Sequence, residues 1–345
     1  MKKIIILPFL FLAILGWGQA QFVLQNGLST KVYSNINTAI DSAVNGDTLY
    51  LPGGGFAISP TTINKILHWV GQGHYPDSTK ATMPTRITSA LVFSGSCDNS
   101  SFEGIYFTTT LSFGSSTDDV FNIKMKRCRV DGTMTLRSSS LGNPLLNFQI
   151  SECVLKDLNA NNGSNCLIEK SLISGVTQYF FQSNFIHNNF NTNSTNLIYY
   201  CQSCQYIDNV FAGSYGFYYS NSNVLTNNLF VSVLPNYGTN SGNNNIYNIG
   251  SSNIYTDITH SINVTTFSYD NNYHLKISAT GTAESDGSTV GITGKASDNT
   301  NAGIYGTTTP YKTIPYYPHI KTATIANEAV NDQLGVTINA EAQSR

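Results

Sequence analysis

Three six-residue stretches, Phe185-Ile186-His187-Asn188-Asn189-Phe190, Tyr206-Ile207-Asp208-Asn209-Val210-Phe211 and Leu225-Thr226-Asn227-Asn228-Leu229-Phe230, share one pattern. An apolar residue is followed by two variable positions, an asparagine, another variable position and a second apolar residue. Towards the N-terminus the same frame, with a smaller residue in place of the asparagine, fits Ile168/Ser171/Ile173, Ile150/Cys153/Leu155 and Met125/Cys128/Val130; Phe102/Ile105/Phe107 is a weaker copy. The first positions lie 17 to 25 residues apart. A period of roughly 20 residues, made of short apolar strands and Asn/Ser/Gly turns, is that of one coil of a parallel β-helix, which buries its inner face only by stacking on the next coil.

The fold class expected is therefore all-β: a single-stranded parallel β-helix, or solenoid. Coils about 4.8 Å apart bring equivalent residues into columns along the axis. Cys128, Cys153, Ser171, Asn188, Asn209 and Asn228 form one such column. Stacked asparagines pass amide hydrogen bonds from coil to coil, which lets a polar side chain sit at a tight inward bend, so this column reads as a structural ladder.

The coil with an asparagine at its bend resembles the right-handed, pectate-lyase-like β-helix superfamily, over about Thr30 to Lys312. Two further stretches resemble secreted β-helix proteins of Bacteroidetes type. One is the amphipathic segment from Ile36 followed by Gly46-Asp47-Thr48-Leu49-Tyr50-Leu51-Pro52-Gly53. The other is Tyr273-His274-Leu275-Lys276 with Ala302-Gly303-Ile304-Tyr305-Gly306. The resemblance implies a right-handed coil and a place among enzymes, adhesins and tailspikes alike; function does not follow from it.

Residues 1–20 read as a secretory signal peptide, with Lys2 and Lys3, an apolar run Ile4 to Leu15, and small residues before a cleavage at Gln21. That run is too short for a membrane span, and no later one reaches the required length. The expected location is secreted or on the exterior of the cell envelope. Residues 21–312 are assigned to the β-helix with its N-terminal cap. Ile36, Ala39, Ile40, Ala43 and Val44 share a helical face behind a cap at Ser34 or Asn35, predicting a helical lid over the first coil. Residues 313–345 carry two alternating segments, Ile320 to Ile325 and Leu334 to Ala340, predicting a C-terminal hairpin that caps the coil or forms an appendage. Thr108 to Asp119 and Ser138 to Pro144 read as longer excursions.

Composition narrows the partners. Charged residues make up 11% of the chain and the formal net charge is -2, with no basic cluster, which excludes a nucleic-acid binder because nothing would neutralise a row of phosphates. The six cysteines, Cys97, Cys128, Cys153, Cys166, Cys201 and Cys204, read as packed thiols, with a Cys201 to Cys204 disulfide as the lesser reading. Gly71-Gln72-Gly73 lacks the Lys and Ser/Thr of a phosphate loop and reads as a turn. No metal site and no cofactor are implied, calcium being left open, and a monomer is expected.

Two columns qualify as sites. Gly104, Arg127, Glu152, Lys170, His187, Asp208 and Asn227 precede the bend column and alternate in sign, as a surface salt-bridge ladder would. The catalytic alternative takes Glu152, Lys170, His187 and Asp208 as acid, base and charge neutraliser of a polysaccharide lyase or glycoside hydrolase on an acidic glycan. The aspartate, histidine and carboxylate sets that such enzymes of the superfamily use are not evident. The second column is aromatic: Tyr179-Phe180-Phe181, Ile198-Tyr199-Tyr200 and Phe217-Tyr218-Tyr219 recur at 19-residue spacing. With Ile198, Phe217, Tyr200 and Tyr219 turned inward, Phe180, Tyr199 and Tyr218 are expected to form an outward stripe suited to sugar rings. Stiffening of the sheet by ring stacking is the plainer reading. The function expected is a secreted, non-catalytic scaffold binding polysaccharide or a cell-surface glycan, with the lyase or hydrolase as the alternative.

Overall fold

The computed structural model describes residues 20–248, except 77–78, 80–81, 139–143, 193–195, 214–215 and 232–237; further on it describes 255–257, 269, 272–275, 319–330 and 333–341. The signal segment and the Ala302 to Gly306 stretch lie outside the described residues.

The chain is a parallel β-solenoid. Ten strands, from β3 (Asp47–Tyr50) to Ser241–Asn243, hydrogen-bond in parallel as one sheet, each contributed by a successive coil. The register pairs Phe102 with Met125, Met125 with Ile150, Ile150 with Ile168, Ile168 with Phe185, Phe185 with Tyr206 and Tyr206 with Leu225. These are the first positions of the repeat, and all are buried. The third positions make the matching column of a second sheet, Phe107 through Val130, Leu155, Ile173, Phe190 and Phe211 to Phe230.

That second sheet has two strips. The first holds the third positions; the second holds Leu111–Phe113, Thr177–Gln178, Ile198–Tyr199 and Phe217–Tyr218. Arg129–Thr135 and Val154–Asn159 are long enough to join both strips. Thr108 to Asp119 is therefore not one excursion, because Leu111 and Phe113 lie in a strand and are fully buried. The interior is aromatic: Phe185 stacks on Tyr206 at 4.8 Å, and Phe190, Phe211 and Phe230 stack in turn at 4.8 and 4.6 Å.

The N-terminal end is closed by two devices. The helix α1 (Ile36–Ser42) is shorter than predicted; Asn35 caps it, its side chain accepting from Asn37 N at 2.8 Å and Thr38 N at 3.3 Å. Ile36, Ala39, Ile40 and Ala43 face the core, whereas Val44, past the helix end, is exposed. The second device is a hairpin, β1 (Phe22–Asn26) and β2 (Ser29–Tyr33), whose first strand pairs antiparallel with β3 and covers the sheet edge. Towards the C-terminus of the sequence, His319–Val330 and Gln333–Glu341 pair with each other as an antiparallel hairpin. No described helix is long and apolar enough to cross a membrane.

Candidate functional site

Each coil turns from the first sheet into the second through a two-residue bend. The first bend residue is left-handed: φ is +68° at Gly104 and between +48° and +56° at Arg127, Glu152, Lys170, His187, Asp208 and Asn227. The column has no β-branched member, as this backbone region requires. The second bend residue points inward. Asn188, Asn209 and Asn228 are fully buried, and each Oδ1 accepts the backbone N–H of its predecessor in the column at 2.8–2.9 Å. Their Nδ2 groups donate to Ile168 O, Phe185 O and Tyr206 O at 2.8 Å. Asn245 continues the ladder beyond Asn228. A second inward ladder, absent from the repeat as first read, runs from Cys204 to Asn223 and Asn240.

The charged column differs from a surface ladder. Arg127 is 4% and Glu152 7% exposed, and Arg127 Nε donates to Glu152 Oε2 at 2.5 Å. Arg127 also reaches Glu103 at 3.4 Å. The carboxylate of Glu152 is thus committed to a buried ion pair, since an unpaired buried charge would be costly. His187 Nε2 lies 3.8 Å from Asp208 Oδ2. Burial, with the Lys170 charge adding to it, lowers His187 to about 4. Burial raises Asp208 to about 6 against the opposing Asn227 amide. Two hollows of about 450 and 540 Å³ on the outer face of the first sheet are lined by other residues, among them His68, Ser101, Lys124 and Gln149.

The aromatic column departs from the expected alternation. Ile198 and Phe217 face the core, but Tyr200 and Tyr219 do not: they are 37% and 54% exposed. Tyr179, Tyr200 and Tyr219 are left-handed, with φ of +57°, +51° and +51°, so the strand ends one residue earlier and two consecutive side chains point outward. Phe180 is a correction in the other direction. Thr177 pairs with Ile198 and Gln178 with Tyr199, so this coil is two residues longer than the 19-residue spacing assumed. Past the outward-facing Tyr179 the chain turns Phe180 into the core, where it is 1% exposed and packs edge-on against Phe185 at 5.1 Å.

The outward face is consequently a double row of tyrosines. Tyr179, Tyr200 and Tyr219 stack in sequence at 5.4 and 5.0 Å with interplanar angles of 5° and 21°. Beside them Tyr199 and Tyr218 stack at 5.9 Å and 7°. The rows interlock edge to face, Tyr199 with Tyr200 at 4.5 Å and Tyr218 with Tyr219 at 4.2 Å. Desolvation, reinforced by the neighbouring tyrosines, holds the Tyr199 hydroxyl above the usual tyrosine range, and a hydrogen bond with Tyr219 does the same for Tyr218. At neutral pH each remains an O–H donor. Among the described residues no group of three or more His, Cys, Asp or Glu is placed to hold a metal ion.

These elements define a parallel β-solenoid with an aromatic outer face. Comparison of the chain with known protein families, with curated proteins and with solved structures gives no match.

Proposed function

We propose that the protein is a secreted, non-catalytic β-helix scaffold, akin to the pectate-lyase-like and Bacteroidetes-type proteins its sequence resembles, that holds a polysaccharide or cell-surface glycan on its tyrosine face. The observation that carries this reading is the double tyrosine row. Two in-register stacks run over three consecutive coils and leave Tyr200, Tyr218 and Tyr219 exposed, where a packing role alone would be served by buried aromatics such as those already filling the core. Against the lyase or hydrolase alternative stands the Glu152 carboxylate, which is engaged by Arg127.

The test is retention on immobilised polysaccharides of the mature chain and of the Tyr199→Ala, Tyr218→Ala double variant. The variant is expected to keep its β circular dichroism and lose retention. Equal retention by both proteins would remove the tyrosine face from consideration.

A further inference from the structure

Resting on that reading, the geometry of the tyrosine face also restricts which glycan it takes. The five rings recur coil by coil, so the face repeats along the axis at about 4.8 Å. The near-parallel rings are 5.0 to 5.9 Å apart between centroids and therefore offset, and Tyr200, Tyr218 and Tyr219 stay exposed. Alongside run more groups in coil register: the bridge column Phe181, Gln202 and Asn221, and the left-handed column Gln182, Ser203 and Ser222. None of the residues in these columns carries a charge. The face is a neutral array of phenol, amide and hydroxyl groups with a one-coil repeat.

We infer that this face binds a neutral polysaccharide of β-1,4-linked pyranose units lying parallel to the solenoid axis, about one sugar per coil. Equatorial bonds at both ends of each pyranose give an extended chain that advances by close to one coil spacing per sugar, so every unit meets an equivalent set of groups. Successive units turn opposite faces to the protein, which a tyrosine row tolerates because both pyranose faces carry apolar C–H groups. An α-1,4-linked glucan coils and drifts out of register after one or two units. An acidic chain would leave its carboxylates facing columns that, among the described residues, supply no cation to meet them, at a desolvation cost.

The experiment is calorimetric titration of the full-length secreted chain, and of the Tyr199→Ala, Tyr218→Ala variant, with cellohexaose, maltohexaose and hexagalacturonate at low and high salt. Cellohexaose is expected to bind at least about tenfold more tightly than either other probe, with little salt dependence and with loss in the variant. Maltohexaose or hexagalacturonate binding as tightly as cellohexaose, with loss in the variant, overturns this inference and leaves the glycan-binding reading standing. Absence of binding by all three probes, or binding that the variant retains, overturns both. Should the double variant lose its fold, Tyr218→Phe, which removes the hydroxyl of an exposed ring and keeps the ring, is read instead and is expected to weaken cellohexaose severalfold; unchanged binding there counts against the inference.

Discussion

Asn209 concentrates the logic of the repeat in one side chain. It is fully buried, accepts from Asn188 N at 2.8 Å and from Asn188 Nδ2 at 3.1 Å, and donates to Phe185 O at 2.8 Å and Asn228 Oδ1 at 3.0 Å. Removing it strands partners on both neighbouring coils, and a buried unsatisfied group costs about 1 to 3 kcal/mol. Asn209→Ala is expected to lower stability by about that amount in a denaturant titration; an unchanged midpoint would count against a structural role. The asparagine pattern was readable from sequence because the amide must recur at each coil. The second ladder, Cys204 to Asn223 and Asn240, was not, because its register depends on a bend whose length varies between coils.

At the scale of the element, the two-residue bend decides more than the strands do. Its left-handed residue sets how deeply a charged side chain is held, so a column that reads as solvent-facing contains the buried Arg127–Glu152 pair. The His187/Asp208 step has a pH signature. The folded pKa of His187, about 4, lies below its ordinary 6.5, so the unfolded chain binds more protons between those values and this group makes stability rise with pH there. Asp208, about 6 against an ordinary 3.8, has the opposite sign: the folded chain binds more protons, and stability falls as pH rises between those values. The two slopes oppose each other between about pH 4 and 6. Asp208→Asn should expose the rising slope and His187→Gln the falling one, read as melting temperature against pH. Parallel profiles for the wild type and both variants would refute the assignment. The hairpin β1–β2 at the N-terminal edge was not predicted, although Gly27, the left-handed first residue of the two-residue loop Gly27-Leu28, is the turn signal that marks it.

For the whole molecule, the continuous core accounts for the cysteines. All six are free and buried, Cys128 and Cys153 in the bend column and Cys204 in the second ladder. Burial raises Cys97 and Cys166 to about 12 and Cys201 to about 11, and pushes Cys153 and Cys204 well above the ordinary thiol value. Neither solvent access nor thiolate is available for exchange. Purified without reductant, the native chain is expected to leave an aromatic disulfide reagent unreacted at pH 8 and, once denatured, to titrate all six thiols. Fewer than six would mean that some are paired.

What the sequence by itself determined was the stacking. A column of apolar first and third positions, with a small or amide residue between them, can bury its inner face only by coil-on-coil addition, and the observed register joins those same positions from Phe102 to Leu225. What only the tertiary structure decided was which side chains leave the core at the bends. Alternation along a strand predicts orientation while the backbone stays extended; one left-handed residue breaks it. That break turned Tyr200 and Tyr219 outward, sent Phe180 inward, and made a single expected stripe into two interlocked rows.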